Sequence, residues 1–446
     1  MRKQLRAVAL TLIVWAGSQQ LIIAALGQDA IFDRNNIGRG HSLTGFYATI
    51  SGGQTNSASG TNSVIGGGLE NIVSATGGTI AGGYENILSA VAGFIGGGYE
   101  NTNQGVYGTI SGGYRSGLYN PYGTIGGGFY NILGTNGVQG GTGSTIAGGG
   151  AHLVSHGYGT IGGGYLNIVQ NNYGTIAGGT GNTVEGEYGF VGGGNGNISI
   201  GEGSVLGGGA GNELFADYGV IGGGQFNSLS GTHATIGGGQ GNVASGTDYG
   251  TIPGGYMNVV EADFAFAAGT YAKASHIGAL VLSDDSAHSY FASTNNNEFA
   301  VRAHGGVRFQ TGATPTGVKL SPGSGTWASL CDRNSKANFA SVNTRTVLEK
   351  VAALPLQTWN YKDQGENIRH IGPVAQDFHA AFGVGDDDRT ITTVDADGVA
   401  LAAIQGLHEL VKEKDATLRE QQQKVDELTT RLQALEKMLL NRVSAK

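Results

Sequence analysis

Cysteine occurs once in this chain, at Cys331, and a lysine follows it five residues later in the stretch "CDRNSKANF". A thiol is a strong nucleophile that can attack a neighbouring carbonyl and form a thioester when a base takes its proton. Lys336 can act as that base only in its neutral form, which burial favours. A short turn can bring an amine back onto a side chain five residues earlier, so Cys331 and Lys336 are a candidate nucleophile and base, and an unreactive packed cysteine is the alternative.

Composition excludes several classes of protein. Glycine supplies 84 of 446 residues and charged residues only 13%, and the glycines follow no collagen period. The formal net charge of -8 makes nucleic acid an unfavourable partner. A single cysteine rules out an intrachain disulfide and any multi-cysteine metal site. We therefore expect no cofactor, no metal and no nucleic acid partner.

The first residues have the features of a secretory signal. A basic start, Arg2, Lys3 and Arg6, precedes an apolar run that polar residues interrupt at 18–20. This pattern predicts a signal peptide over 1–27, and an uncleaved anchor reaching Leu26 is the alternative. Because no later apolar run could span a bilayer, we expect the mature chain to be secreted or held at a bacterial cell surface, without a membrane span.

One short unit repeats fourteen times within residues 28–256. Its template is "YGTIGGGYLNIV", and eleven of the thirteen steps between its apolar residues, here called anchors, are 15 residues long. The anchors are Ile50, Ile65, Ile80, Ile95, Ile110, Ile125, Ile146, Ile161, Ile176, Val191, Leu206, Ile221, Ile236 and Ile252. Since so short a unit cannot bury its own apolar face, the repeat predicts a solenoid of stacked coils.

Each position of the unit suggests a local structure. Glycine stands two and three residues after every anchor, which indicates a corner. Asparagine stands six residues after the anchor in twelve copies, with Ser116 and His152 as the exceptions, and it favours a turn. Small residues two before each anchor suggest that backbones cross closely there. Two short strands per unit fit, one around "GTI" and one around "NIV".

The Ile-x-Gly-Gly units with asparagine on the next turn resemble the left-handed β-roll heads of trimeric autotransporter adhesins. That resemblance implies a trimer whose copies cover a flank of the roll. A calcium-binding β-roll is rejected because no aspartate occurs between Asp33 and Asp217. Threonine precedes the anchor in nine copies, so an ice-binding ladder is a weaker alternative, but such a column is common in ordinary β-structure.

The period fails after Tyr256, and alternating aromatic segments over 257–326 predict an irregular β neck. From Trp327 glycine becomes scarce and helix formers increase, which predicts an α+β domain over 327–398. A long helix is expected over 399–446. Its heptads have two core positions. The first is occupied by Ile404, Val411, Leu418, Val425, Leu432 and Leu439, and the second by Leu407, Lys414, Gln421, Leu428 and Leu435. Five such heptads predict a coiled coil.

The segments "CDRNSKANF", "LPLQTWNYK", "HIGPVAQDF" and "TVDADGVALAAIQGL", taken in order, resemble the intramolecular chaperone domain of phage endosialidase tailspikes. In that family the domain drives trimerisation of the preceding β-structure and then cuts itself off through a Ser/Lys dyad. The serine of the family's motif falls on Cys331 and the lysine on Lys336. The resemblance therefore implies single-turnover cleavage beside Cys331, while the change from serine to cysteine leaves open a domain that chaperones without cutting.

The sequence predicts a mainly β protein: a trimeric left-handed β-roll of about 15-residue glycine-rich repeats, a β neck, and an α+β chaperone domain ending in a coiled coil. We expect a homotrimeric fibre or adhesin-like protein, with a surface glycan or protein as a possible receptor. The rival hypothesis is a structural adhesin whose C-terminal part is a permanent trimerisation foot. A glycosidase is disfavoured because the repeats hold scarce carboxylates and no obvious acid pair.

Overall fold

The computed structural model describes residues 38–135 and 141–444, which form two compact units, 38–304 and 305–444. The predicted signal peptide, 1–27, lies outside the described residues. The first unit is a solenoid of parallel coils, as the repeat predicted. The second unit is α+β and ends in a long helix.

Each coil of the solenoid contributes one strand to a sheet that contains the anchors, here called the anchor sheet. Consecutive strands pair in parallel, with each anchor opposite the next, as in Ile161 and Ile176. All fourteen predicted anchors lie in this sheet, and three more coils follow them. The strands are Thr49–Ile50, Val64–Ile65, Thr79–Ile80, Phe94–Ile95, Thr109–Ile110, Thr124–Ile125, Thr145–Ile146, Thr160–Ile161, Thr175–Ile176, Phe190–Val191, Val205–Leu206, Val220–Ile221, Thr235–Ile236, Thr251–Ile252, Phe266–Thr270, Leu280–Ser283 and Phe299–Arg302, together with a short additional strand, Gly255–Tyr256, that pairs with Phe266–Thr270.

The second sheet is formed by the other strand of each coil, and it has 17 strands. A row of single parallel bridges, such as Tyr84 to Tyr99, runs between the two sheets along most of the solenoid. The second-sheet strands are Ser42–Leu43, Ser57–Ala58, Ile72–Val73, Ile87–Leu88, Thr102–Asn103, Gly117–Leu118, Ile132–Leu133, Leu153–Val154, Ile168–Val169, Thr183–Val184, Ile198–Ser199, Glu213–Leu214, Ser228–Leu229, Val243–Ala244, Val259–Val260, Ala272–Ala274 and Phe291–Ala292.

The interior of the solenoid is thin. One anchor and one apolar residue of the second sheet fill most coils, as Ile161 and Val169 do, and both are fully buried. The small residues two before each anchor face this interior: a β-carbon on Gly159 would lie 2.6 Å from a methyl group of Val154. These positions are small because second-sheet side chains fill the space, and not, as the sequence suggested, because backbones cross there.

A ladder of buried asparagines joins the coils along the axis. The Asn197 amide nitrogen donates to the carbonyl oxygens of Gly193, 2.9 Å away, and of Gly209 in the next coil, 3.0 Å away. Its side-chain oxygen accepts the backbone N–H of Asn212, 3.1 Å away. Each asparagine therefore satisfies backbone groups of its own coil and of the next, which explains why this residue recurs inside the roll.

Tyrosine three residues before the anchor occupies a second kind of corner. Tyr158, Tyr173 and Tyr188 have φ between 57° and 59°, a left-handed conformation that costs a non-glycine residue about 1–3 kcal/mol. Their rings stack with centroids 5.0 and 4.8 Å apart. Stacking at the coil spacing stabilises the corner and offsets part of that strain.

Parallel pairing continues past Tyr256, where the sequence placed the start of a neck. Val259 pairs with Lys273, and Leu280 pairs with Phe299, so three coils of irregular length extend the solenoid to Arg302. The interior becomes narrower there, since Ala267, Val281 and Ala300 replace the larger anchors. The repeat was not recognised in the sequence because these coils lack the Gly-Gly pair, of which only Gly269 remains, although the strands continue.

The second unit begins with an antiparallel sheet of Val307–Gln310, Gly317–Leu320 and Trp327–Ser329. Helix α1 is Thr344–Ala353, and a two-stranded sheet of Gln357–Trp359 and His370–Gly372 follows. Helix α2 is Ala375–Phe382, and helix α3 is Thr393–Val443. Helix α3 starts six residues before the expected position because the side chain of Thr392 accepts the N–H of Asp395 and caps it.

A histidine, His152, takes the place of asparagine in one coil of the ladder, where its Nδ1 atom accepts the N–H of Asn167, 3.2 Å away. The Nε2 atom of His152 is buried without a hydrogen-bond partner, and burial lowers the pKa of this histidine below its ordinary value of 6.5. Its neutral form is therefore required in the fold, so the stability it contributes is complete above pH 6.5 and is lost as the pH falls from there through the folded-state pKa. His152→Asn should raise the thermal unfolding midpoint, by the equivalent of about 1–3 kcal/mol, and most strongly in acid.

Ser116→Asn is the matched control, because Ser116 interrupts the same ladder with a buried unpartnered hydroxyl that does not titrate in this range. It should stabilise the protein by a similar amount at every pH. Thermal melts of both variants and the unmodified chain, between about pH 5 and pH 8, separate the two effects. A His152→Asn variant whose melting profile keeps the full acid sensitivity of the unmodified chain would contradict the assignment.

Candidate functional site

The backbone just before Cys331 is held by the antiparallel sheet of the second unit. The strand Trp327–Ser329 pairs with Gly317–Leu320, and the N–H of Leu330 donates to the carbonyl oxygen of Gly317, 2.8 Å away. Leu330 is therefore the last residue that hydrogen bonds to the sheet hold in place, and its peptide bond to Cys331 comes directly after it. The sequence did not reveal this contact, because Gly317 lies in a region without a recognisable repeat.

A single turn of 3₁₀-helix brings Lys336 back onto Cys331. The turn is Arg333–Ser335, and the side chain of Asp332 caps it by accepting the N–H of Asn334, 2.9 Å away. The N–H of Lys336 donates to the carbonyl oxygen of Arg333, which closes the turn. The Nζ atom of Lys336 then lies 2.8 Å from the Sγ atom of Cys331. The five-residue spacing thus gives the direct contact that the sequence predicted.

The arrangement has the components of a nucleophile and a base. Both side chains are exposed in the single chain, and Cys331 forms no disulfide. An amine within hydrogen-bond distance of a thiol can accept its proton or stabilise the thiolate. The guanidinium of Arg333 lies over the ring of Phe339, 5.2 Å from its centroid, and helps to hold the segment that follows. The site is therefore assembled locally, within nine residues, and is open to solvent.

Helix α1 packs on the first part of helix α3 where a glycine lets it approach. Gly406 is buried, and a β-carbon there would lie 2.3 Å from the carbonyl oxygen of Thr344. The contact is extended by Thr344, whose hydroxyl donates to Glu409, and by Arg345, which pairs with Glu413 at 3.2 Å. This packing connects the segment after the Cys331 turn to the long helix.

The heptad residues of helix α3 are left uncovered by the rest of the described chain. The helix is confirmed, with 51 residues. Nine apolar heptad residues are 48–63% exposed: Ile404, Leu407, Val411, Leu418, Val425, Leu428, Leu432, Leu435 and Leu439. A continuous apolar seam of this length is typical of a helix that pairs with other helices. The coiled coil itself stays a prediction, since it involves other copies.

Comparison with known protein families finds a match, and it lies in the second unit. Residues 331–384 match the model of the family described as the chaperone of endosialidase, and the matched segment begins at Cys331. No curated protein matches the chain. The family match and the solenoid of about 17 coils both agree with the resemblances seen in the sequence.

Over 38–135 and 141–444, no three histidine, cysteine or acidic side chains are grouped so that they could hold a metal ion. Within the same ranges, no helix has the length and apolar character needed to cross a membrane.

The α1–α3 contact gives a prediction about stability. Gly406→Ala should destabilise the second unit by about 1–3 kcal/mol, because the new methyl group would overlap the Thr344 carbonyl and push helix α1 away. Gly398→Ala is the matched control in the same helix, since a β-carbon there would meet no atom within 4 Å. It should stabilise helix α3 by about 0.5–1 kcal/mol. Urea denaturation followed by far-UV circular dichroism measures both, and equal effects of the two changes would contradict the packing role of Gly406.

Proposed function

We propose that this protein is an exported trimeric fibre of the tail-fibre type, whose C-terminal unit assembles the solenoid as an intramolecular chaperone and then cuts itself off at Cys331. The observation that carries the proposal is the 2.8 Å contact between Lys336 Nζ and Cys331 Sγ at the start of a chaperone-of-endosialidase domain. A solenoid before the domain supplies the β-structure that such a chaperone would assemble. Export rests on the basic and apolar pattern of residues 1–27.

Assembly into a trimer is supported by surfaces that one chain leaves open. Helix α3 exposes its apolar heptads, and Lys414 and Gln421 within the seam would fix the register of parallel copies. Each coil pairs mainly with coils about 15 residues away and buries little apolar surface by itself, so the first coils nucleate slowly. Helices that associate first would hold three chains in register while the coils form, which is the proposed chaperone role.

The proposed chemistry is an acyl transfer from nitrogen to sulfur. Lys336 takes the thiol proton, and Sγ of Cys331 attacks the carbonyl carbon of Leu330. The C–N bond breaks, and the lysine returns the proton to the leaving amine, which becomes the new N-terminus. Water then hydrolyses the thioester, giving the carboxylate of Leu330 and restoring the thiol. Attack on the carbonyl of Cys331 itself would need a more strained ring, so the Leu330–Cys331 bond is the proposed site.

Assembly would also control when the cut occurs. A protonated amine cannot take the thiol proton, and removal from water favours the neutral amine. Since both side chains are exposed in a single chain, the copies of a trimer would have to supply that burial. The cut would then follow assembly rather than precede it.

A second candidate is a permanent trimerisation foot that does not cut. The residue type favours it, since Cys331 stands where the resemblance implies a serine. Under this hypothesis the protein is a structural adhesin, and the contact between Cys331 and Lys336 is only a polar contact at a domain boundary. In either case the receptor would be a surface glycan or protein bound outside the C-terminal unit.

Denaturing gels of the purified protein test the cleavage. The full chain should convert to two fragments, and the smaller one should have the mass of residues 331–446, which locates the cut at Leu330–Cys331. Cys331→Ala and Lys336→Ala should each leave the chain uncut, because they remove the nucleophile and the base. Cys331→Ser should still cut, because a hydroxyl can make the same attack.

Variants of the heptad seam test the order of events. Leu418→Asp combined with Val425→Asp should leave the chain full length by preventing assembly. Ala416→Asp combined with Gln423→Asp is the control, since these residues lie opposite the seam in the same turns, and it should cut normally. A correctly assembled trimer that stays uncut on prolonged incubation would refute the cleavage and favour the permanent foot.

A further inference from the structure

The cysteine of the candidate site permits a reaction that a serine does not. Cys331 carries the only thiol of the chain, so its oxidation product has no second thiol in the same chain with which to form a disulfide. Peroxides oxidise an accessible thiolate to a sulfenic acid, which then condenses with a nearby thiol or nitrogen. A serine hydroxyl undergoes neither step. The group that lies beside the sulfur therefore determines the product of its oxidation.

Lys336 supplies a nitrogen at this position. Its Nζ atom lies 2.8 Å from the Sγ atom of Cys331, and both side chains are exposed in the single chain. The 3₁₀ turn Arg333–Ser335 holds the two residues in this arrangement. Because the amine ends a flexible four-carbon stem, it can move closer to the sulfur without a change in the backbone.

The other charged side chains of the turn have partners of their own. The carboxylate of Asp332 accepts hydrogen bonds from the backbone N–H and the side-chain amide of Asn334, 2.9 and 3.2 Å away. The guanidinium of Arg333 lies over the ring of Phe339. The amine of Lys336 is directed instead to the sulfur, so it is the nitrogen placed to react there.

We propose that Cys331 and Lys336 form a site of oxidative modification, at which peroxide joins the two side chains through a sulfur–nitrogen bond. One hydrogen peroxide oxidises the thiolate to the sulfenic acid and releases water. The neutral amine then attacks the sulfur, the S–O bond breaks, and the hydroxyl leaves with an amine proton as a second water. The product is a sulfenamide with two hydrogen atoms fewer than the reduced pair.

The link is reversible by thiols. An added thiol attacks the sulfur of Cys331, which releases the amine of Lys336 and leaves a mixed disulfide. A second thiol then displaces the first and restores the cysteine, so the two added thiols end as a disulfide. The modification would therefore be an off state that a reductant removes.

The effect of the link on cleavage rests on the function proposed above. In that reaction Sγ of Cys331 is the nucleophile and Nζ of Lys336 is the base, and the link occupies both atoms in one bond. A linked chain would therefore keep its C-terminal unit until a thiol opens the bond. Since the burial of this pair is proposed to follow assembly, peroxide would act on the chain before it assembles.

Peptide mapping of the uncut chain tests for the link itself. Trypsin cuts after Arg333, so it separates Cys331 from an unmodified Lys336. After treatment with dilute hydrogen peroxide, and digestion without reductant, residues 320–333 should be found joined to residues 334–345. The joined pair should be two hydrogen atoms lighter than the sum of the two peptides, and dithiothreitol should separate them.

Lys336→Arg is the matched control, because it keeps a positive charge in the turn, while a guanidinium that stays protonated does not attack the sulfur. Its cysteine peptide should instead gain oxygen as a sulfinic acid, which dithiothreitol does not remove. Cys331→Ser should give no joined pair. A disulfide between two copies of Cys331, or a sulfinic acid in the unmodified chain, would overturn the proposed link.

A denaturing gel tests the effect on cleavage separately. The chain treated with peroxide before it is cut should stay full length, and dithiothreitol should restore the cut. A joined pair in a chain that cuts equally well with peroxide would overturn the off state. A joined pair in a chain that never cuts, even with dithiothreitol, would support the modification site and refute the proposed cleavage instead.

Discussion

Hydrogen bonding along the axis, from each coil to the next, is the interaction on which the rest of the structure depends. A coil holds little more than one anchor and one second-sheet side chain in its interior, so it has almost no core of its own. The backbone pairs, the buried asparagines and the stacked tyrosines all act between coils. Asn182, Asn197 and Asn212 illustrate this, since each bonds to both of its neighbours in the ladder. No coil is stable without the ones beside it, which is the energetic signature of a solenoid.

The same regularity creates a folding problem that the second unit can solve. Because the coils are nearly identical, a strand such as Thr160–Ile161 would pair almost as well with a wrong coil as with Thr175–Ile176. Nothing within the repeats distinguishes one register from another, apart from rare features such as His152 and the longer coil that precedes it. Three chains held together at their C-terminal ends, as proposed, would start from one defined register, and the order of coils would then follow along each chain. A chaperone domain placed after the solenoid fits this requirement, and its removal after assembly would leave a fibre that cannot easily refold.

Much of the solenoid was predictable from the sequence, because each position of the repeat unit has the same structural role in nearly every coil. The anchors and the two strands per unit were placed correctly. The recurring asparagine was expected at a turn, but it is buried and bonds from coil to coil. The coils after Tyr256 were missed as coils, because their pairing is encoded in backbone register and small residues such as Ala267 and Ala300, without the Gly-Gly corner. The role of Gly159 was misjudged because its neighbour, Val154, comes from the opposite sheet. The contact between Cys331 and Lys336 was expected. The cap that Asp332 provides and the hydrogen bond from Leu330 to Gly317 were not, because neither follows from residue types and spacing.

The central claim is that three copies of this chain form one fibre, and the mass of the intact assembly tests it most directly. Light scattering coupled to size exclusion, applied at micromolar concentration to the Cys331→Ala chain so that no fragment is lost, gives that mass. The account predicts three times the mass of one exported chain, which before removal of the predicted signal is 45.4 kDa. A single, correctly folded monomer in that measurement would contradict it.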